Sequence, residues 1–162
     1  FGFQAPYEPL NRKFNLELGG GSLLDIGIYP VIDALNFLGV PAEIMSRATF
    51  AGSGSEESIS IIFGYADGRM ATLYSSFRTA AGIGCDLLCE NGNLCFSRGR
   101  DMSQRLKVSV NGKEDQEYSL IPEGMGYHFE AEEVMRCLDN GKTGSACSGR
   151  AGNSGIFGEV SR

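Results

Sequence analysis

The sequence predicts an α+β fold: one open, mostly antiparallel sheet with helices on one face. Three observations carry that expectation. A helical spacing of apolar residues follows the run Gly19, Gly20, Gly21. The middle of the chain then alternates with period two. That middle is punctuated by Asp67-Gly68, Asn91-Gly92 and Asn111-Gly112, the dipeptides that tight hairpins need.

Residues 1–18 carry Pro6 and Pro9 without sustained periodicity and read as a connecting segment. Residues 19–142 read as one organised domain. Leu23, Leu24, Ile28, Val31, Leu35 and Leu38 fall at helical spacings that stop at Gly39, with Pro41 beyond. Ser22 is the expected N-cap, and Pro30 should remove the hydrogen bond to the Ile26 carbonyl and kink the helix. Strands are expected at 43–50, 58–65, 70–77, 85–90, 94–97, 106–110 and 116–120, with a type I′ turn at Asp67-Gly68. Residues 127–138 read as a second helix with an acidic start (Glu130, Glu132, Glu133), an apolar side of Phe129, Val134 and Leu138, and Gly141 as its stop. In the tail, 143–162, Gly144, Gly149, Gly152, Gly155 and Gly158 would each cost about 1 kcal/mol relative to Ala in a helix, so a mobile Gly/Ser-rich tail is expected.

Composition narrows the function classes. The 162 residues are 42% hydrophobic and 21% charged, which suits one globular core. A net charge of -6, from 14 Lys plus Arg against 20 Asp plus Glu, supplies no surface for neutralising phosphates, so nucleic acid is not an expected partner. The longest apolar stretch, 16–38, is broken by Glu17, Asp25, Asp33 and the glycines, so no membrane span is expected. The first residues hold no start Met and no charged leader, which suggests a chain beginning mid-protein without a signal peptide.

Five cysteines (Cys85, Cys89, Cys95, Cys137, Cys147) and a single histidine make a structural zinc site unexpected, and no metal is assigned. Cys85 and Cys89 share a strand face, and a thiolate cluster with Cys95 is the alternative to small buried hydrophobes in a reducing cytoplasm. Ile59, Ile61 and Phe63 alternate with Ser60, Ile62 and Gly64, so both sheet faces carry apolar side chains and a homodimer through the open face is expected.

Chemistry is concentrated between Gly19 and Tyr29. Asp25 and Tyr29 stand at i and i+4, one turn apart on an α-helix, where a phenol beside a carboxylate can pass a proton to a substrate oxygen. Gly21 and Gly27 remove side chains where a flat ring or sugar could approach the backbone. Spacing alone favours the plainer reading, a carboxylate serving the first turn of the helix and a tyrosine capping the core with its hydroxyl in solvent.

Residues 11–14 (Asn, Arg, Lys, Phe) followed by 19–30 (GGGSLLDIGIYP) resemble the signature opening the C-terminal domain of the Gfo/Idh/MocA oxidoreductases. The likeness extends through 65–71 (YADGRMA), 90–92 (ENG) and 126–134 (GYHFEAEEV), covering roughly residues 1–142. Within the family it is similar to the dimeric dihydrodiol dehydrogenase and glucose-fructose oxidoreductase branch, because Tyr29 stands where inositol-dehydrogenase relatives usually carry His. The resemblance implies a fold like the C-terminal domain of glyceraldehyde-3-phosphate dehydrogenase, with a sheet that also mediates dimerisation. It implies Tyr29 as proton donor or acceptor, Asp25 as its positioning partner and Arg12 as a substrate or cofactor contact. It also implies an N-terminal Rossmann domain holding NAD(P) and supplying a catalytic lysine. Neither is in this chain, and no G-x-G-x-x-G in a βαβ setting is present.

The function expected is therefore the substrate-binding and dimerising domain of an NAD(P)-dependent oxidoreductase acting on a sugar, cyclitol or trans-dihydrodiol. The chain alone is expected to be inactive and to bind no dinucleotide. The alternative is a free-standing, non-catalytic dimerisation or ligand-binding module. His128, Tyr74 and Arg78 receive no role, and Arg98, Arg100, Asp101, Arg105 and Lys107 read as a solvated loop.

Overall fold

A computed structural model describes residues 1–98, 104–120 and 127–141. The expectation for 143–162 lies outside the described residues. The chain divides into two compact units, Phe1–Cys85 and Asp86–Arg162. The strands are antiparallel where their pairing is described, but they form two sheets rather than the single sheet expected, one of three strands and one of four. Hairpin signals are alike in both sheets, so local sequence carries no mark of where one stops.

The first unit contains a 3₁₀ turn (Leu16–Leu18), a π-helical turn (Leu23–Gly27), α1 (Ile28–Leu38), β1 (Glu43–Phe50), β2 (Glu56–Gly64) and β3 (Met70–Ser76). Strand order is β1-β2-β3, with Ile61 opposite Ser46 and Leu73, and Phe63 opposite Ile44 and Ala71. Alternation sends Ile61, Phe63 and Leu73 to one face, where they form a core with Ala34 and Tyr65. Leu23, Val31 and Leu38, from the helical side, pack against that cluster. Met45 and Ile62, cross-strand neighbours on the other face, and Met70 are exposed.

Between β2 and β3 the Tyr65 N–H donates to the Arg69 carbonyl (3.1 Å) and the Gly68 N–H to the Tyr65 carbonyl (3.0 Å). The loop is thus three residues, 66–68, rather than the two-residue type I′ turn expected. Gly68 has φ 88°, the left-handed position that such a loop reserves for glycine.

The first residues are part of the unit. The Phe3 N–H donates to the Ser76 carbonyl (3.1 Å) and the Ala5 N–H to the Phe77 carbonyl (2.9 Å). Phe77 packs edge-on against Phe3 and Phe14, and Phe14 against Tyr7. Both Phe14 and Phe77 are fully buried. By length and composition alone 16–38 is apolar enough to cross a bilayer, contrary to the sequence reading. In the structure it is a 3₁₀ turn, the glycine run, a five-residue π turn and an eleven-residue α-helix. The continuous helical part is shorter than the ~20 residues a crossing needs, and one side of it packs on the sheet.

The second sheet comprises β4 (Gly84–Cys89), β5 (Gly92–Arg98), β6 (Gln104–Val110) and β7 (Gln116–Leu120) in sequential order, and α2 spans Tyr127–Asp139. Leu94 and Val108 are buried, with Leu87, Phe96, Leu106 and Val110 packed on them. Arg105 and Lys107 lie on β6 rather than in a loop, with Lys107 paired to Asp115 at 2.7 Å. On α2, Phe129, Val134 and Leu138 are exposed while Cys137 is buried, the reverse of the expected inner side. Helical spacing shows which residues share a side, but not which side finds a partner.

Candidate active site

The glycines of 19–27 fit the helix start against its surroundings. The Gly20 N–H donates to the Asn15 carbonyl (2.8 Å) and the Gly21 N–H to that of Lys13 (2.9 Å). A Cβ at Gly20 would lie 2.7 Å from the Asn15 backbone. Gly21 has φ 139°, and the place of its missing side chain is filled by the Glu56 carboxylate from the start of β2. Glu56 Oε1 accepts the Leu23 N–H at 2.6 Å, taking one of the helix-start donors that have no intrahelical acceptor.

This replaces the expected N-cap. Ser22 already has helical torsions (φ -67°, ψ -29°) and makes no cap bond. Its fully buried hydroxyl instead meets the Ser75 hydroxyl at 3.1 Å. A hydroxyl at that depth must find its partner in the sheet, here in β3. Gly27 is likewise buried against β3: a Cβ there would come 2.8 Å from Ser75 Oγ and 2.9 Å from Leu23 Cδ1. Gly21 and Gly27, read from sequence as openings for a ring or sugar, thus leave room for Glu56, Ser75 and Leu23.

Arg12 and Asp25 are brought together. Arg12 Nη1 donates to Asp25 Oδ1 at 2.6 Å, with the Asp25 side chain 16% exposed and that of Arg12 67% exposed. The remaining guanidinium donors and carboxylate acceptor sites suit the hydroxyls of a polyol. Tyr29, at the start of α1, is 51% exposed, and its ring stacks on Phe1 with centroids 5.7 Å apart and planes at 21°. Among the described residues no hydrogen bond engages its hydroxyl, and none joins it to Asp25.

The expected i, i+4 pairing of Asp25 with Tyr29 assumed a continuous α-helix. Asp25 instead lies in the π turn and Tyr29 beyond it, and i→i+5 bonding changes the angular step between them. Pro30 follows the π turn inside one continuous helical run, and with no N–H to give the Ile26 carbonyl, the irregularity expected at Pro30 takes the form of the π turn just before it.

Asp33, one turn beyond Tyr29, is half-buried, and burial raises its carboxyl above the ordinary value. Below the unfolded value both states are protonated and no cost exists; as pH rises through the two values the folded state is increasingly penalised. Asp33→Asn is therefore expected to raise Tm at pH 7 by about a degree or two and to leave it unchanged near pH 3, by calorimetry at both.

The other candidates are less organised. Tyr74 hydroxyl meets Thr79 Oγ1 at 3.0 Å, and hydrogen bonds from Ser76, then Thr79, lower its phenol below the ordinary value. Arg78 approaches Glu57 at 3.7 Å. His128 is exposed, its ring 4.0 Å from that of Phe129. None of Cys85, Cys89, Cys95 and Cys137 is in a disulfide. Strand alternation sets Cys95 opposite the face shared by Cys85 and Cys89, and its hydrogen bond to Asp86 raises the thiol, which disfavours a thiolate cluster. Among the described residues no group of three or more His, Cys, Asp or Glu is placed to hold a metal ion.

An antiparallel sheet backs a glycine-rich helix start in the first unit, and residues 1–95 match the family described as "GFO/IDH/MocA C-terminal domain". The chain belongs to the Gfo/Idh/MocA family. It is 34% identical over 153 residues to a trans-1,2-dihydrobenzene-1,2-diol dehydrogenase of Xenopus laevis, covering 86% of this chain and 44% of that protein. To D-xylose 1-dehydrogenase (NADP(+)) 2 of Haloferax volcanii it is 26% identical, covering 88% and 45%. Its fold is like that of a 3-ketoreductase from Actinomadura kijaniata crystallised with NADP and TDP-benzene, with TM-score 0.73, 18% identity and coverage of 89% and 46%. The chain thus spans about half the length of the relatives it matches.

The names of the xylose dehydrogenase and the 3-ketoreductase carry NADP. The glycine-rich helix start does not fit its phosphates: it is filled by Glu56, whose carboxylate occupies the place where a phosphate would need bare N–H groups. Glu56, Ser75, Phe14 and Phe77 were missed in the sequence reading. Glu56 lies 33 residues from Leu23, and nothing in the local sequence of either joins them.

Proposed function

We propose that this chain is the substrate-binding and dimerising domain of an NAD(P)-dependent dehydrogenase acting on a vicinal diol, sugar or cyclitol. Tyr29 carries the reading: a half-exposed phenol with an unengaged hydroxyl, on the helical segment that also bears the Arg12-bound Asp25. Arg12 donates to one substrate hydroxyl and Asp25 accepts from its neighbour, orienting the carbinol. Tyr29 takes the hydroxyl proton on oxidation and returns it on reduction. Gly21 and Gly27 act indirectly, by seating this segment on β2 and β3. NAD(P) supplies the hydride chemistry and is held by an N-terminal Rossmann domain outside these residues, so the chain alone is inactive.

The names of the diol and xylose dehydrogenases support the substrate class. Exposed Met45, Ile62 and Met70 support a homodimer through the open face of the first sheet. The cysteine usage supports a reducing, cytoplasmic location.

The test is the intact mass of the native polypeptide, followed by NAD(P)-linked oxidation of trans-dihydrodiols and aldoses. A chain about twice this length that reduces NAD(P) with either substrate, and a dimeric mass by light scattering, are the expected results. A native polypeptide of 162 residues with no such activity would favour a non-catalytic dimerisation or ligand-binding module instead.

A further inference from the structure

We infer that Glu56 is a positioning residue for this site, holding Asp25 in place through the first helical turn; the inference rests on the reading above. Glu56 reaches from the start of β2 across the notch of Gly21 to accept the Leu23 N–H at 2.6 Å, two residues before Asp25. The usual capping side chain is unavailable, because Ser22 is turned inward onto Ser75. The turn that Glu56 holds is π-helical, and the bond leading into it, from the Asp25 N–H to the Gly21 carbonyl, is a long 3.3 Å, so contacts from outside the turn help to set its geometry. Three such contacts fix it: Glu56 at the start, Ser75 beneath Gly27, and Arg12 on Asp25 itself. Of the three, the Glu56 contact alone brings in a carboxylate from another element to accept a backbone N–H of the first turn, at the positive end of the helix. Without it the first turn is free to fray, and Asp25 moves relative to the substrate hydroxyls it orients.

The consequence is readable in the protein at its natural length, with a trans-dihydrodiol and NADP as the probes. Glu56→Ala is expected to lower kcat about tenfold or more while KM for NADP stays within about twofold, as a misplaced orienting group would. Glu56→Gln should retain most of the activity, because its amide oxygen accepts the same N–H. On an Asp25→Asn background, Glu56→Ala should cause little further loss, since the effect runs through Asp25. Amide exchange at Leu23 should be slow in the wild type and in Glu56→Gln, and faster in Glu56→Ala.

Wild-type kcat in Glu56→Ala would overturn the inference, as would Gln failing to rescue or a full additional loss beside Asp25→Asn. Unchanged exchange at Leu23 would overturn it too. If the wild type oxidises no diol or sugar, the functional reading fails by itself, and the exchange measurement still decides whether Glu56 holds the turn.

Discussion

Tyr29→Phe, made in the protein at its natural length, is expected to lower kcat for diol or sugar oxidation by about 10²–10⁴-fold, the usual contribution of a positioned proton-transfer group. KM is expected to change little, because the hydroxyl acts on the proton in flight rather than on ground-state binding. The substitution is clean for a structural reason. The ring that stacks on Phe1 is retained, and the lost hydroxyl has no hydrogen bond among the described residues, so Tm should not move. The checks are steady-state kinetics and a thermal melt on the same sample. Turnover equal to the wild type would remove Tyr29 from the chemistry and leave it as a tyrosine at the rim of the core. Lost turnover accompanied by a fallen Tm would instead mean that the phenol supports the fold.

The second large effect is on stability. Phe77→Ala is expected to cost about 3–5 kcal/mol, the range for deleting a buried aromatic ring, and to lower Tm by roughly 10 °C. Phe77 is fully buried, and its ring joins Phe3 and Phe14, so its loss opens a cavity where the first residues meet the end of β3. Its backbone bonds, the Phe77 N–H to the Glu57 carbonyl and the Ala5 N–H to the Phe77 carbonyl, survive the change, so the cost comes from packing. Phe129→Ala, at an exposed position on α2, is the control and should stay within about 0.5 kcal/mol. A loss of less than about 1 kcal/mol for Phe77→Ala would mean that the aromatic cluster does not anchor the first residues.

Much of the fold was legible because its signals are local. The alternation of Ile59, Ile61 and Phe63 and the helix ending at Gly39 appear where expected, and a hairpin forms at each of the three dipeptides, although the loop at Asp67-Gly68 has three residues, Gly92 is already in β5 and the loop at Asn111-Gly112 runs to residue 115. Residues 1–18, read as a connecting segment, pack instead into the first unit through Phe3, Tyr7 and Phe14. Position 22 was misread because serine is a good N-cap wherever solvent or the helix is its only partner. Burial against Ser75 is a property of the sheet and has no local trace. The apolar side of α2 was misread for the same reason, since amphipathic spacing identifies a side but not its neighbour.

What the sequence by itself determined is the strand and helix inventory, the family, and the short stretch in which Arg12, Asp25 and Tyr29 are the groups available for chemistry. Only the tertiary structure decided how they are arranged. It joined Arg12 to Asp25, set Asp25 and Tyr29 on either side of a π-to-α junction, and capped the helix with a carboxylate from a strand 33 residues away. The physical reason is range. Propensity, alternation and turn chemistry act over a few residues and are written in the local sequence. Caps, buried hydroxyl partners and glycine notches are satisfied by whichever distant atoms the packed sheet brings near.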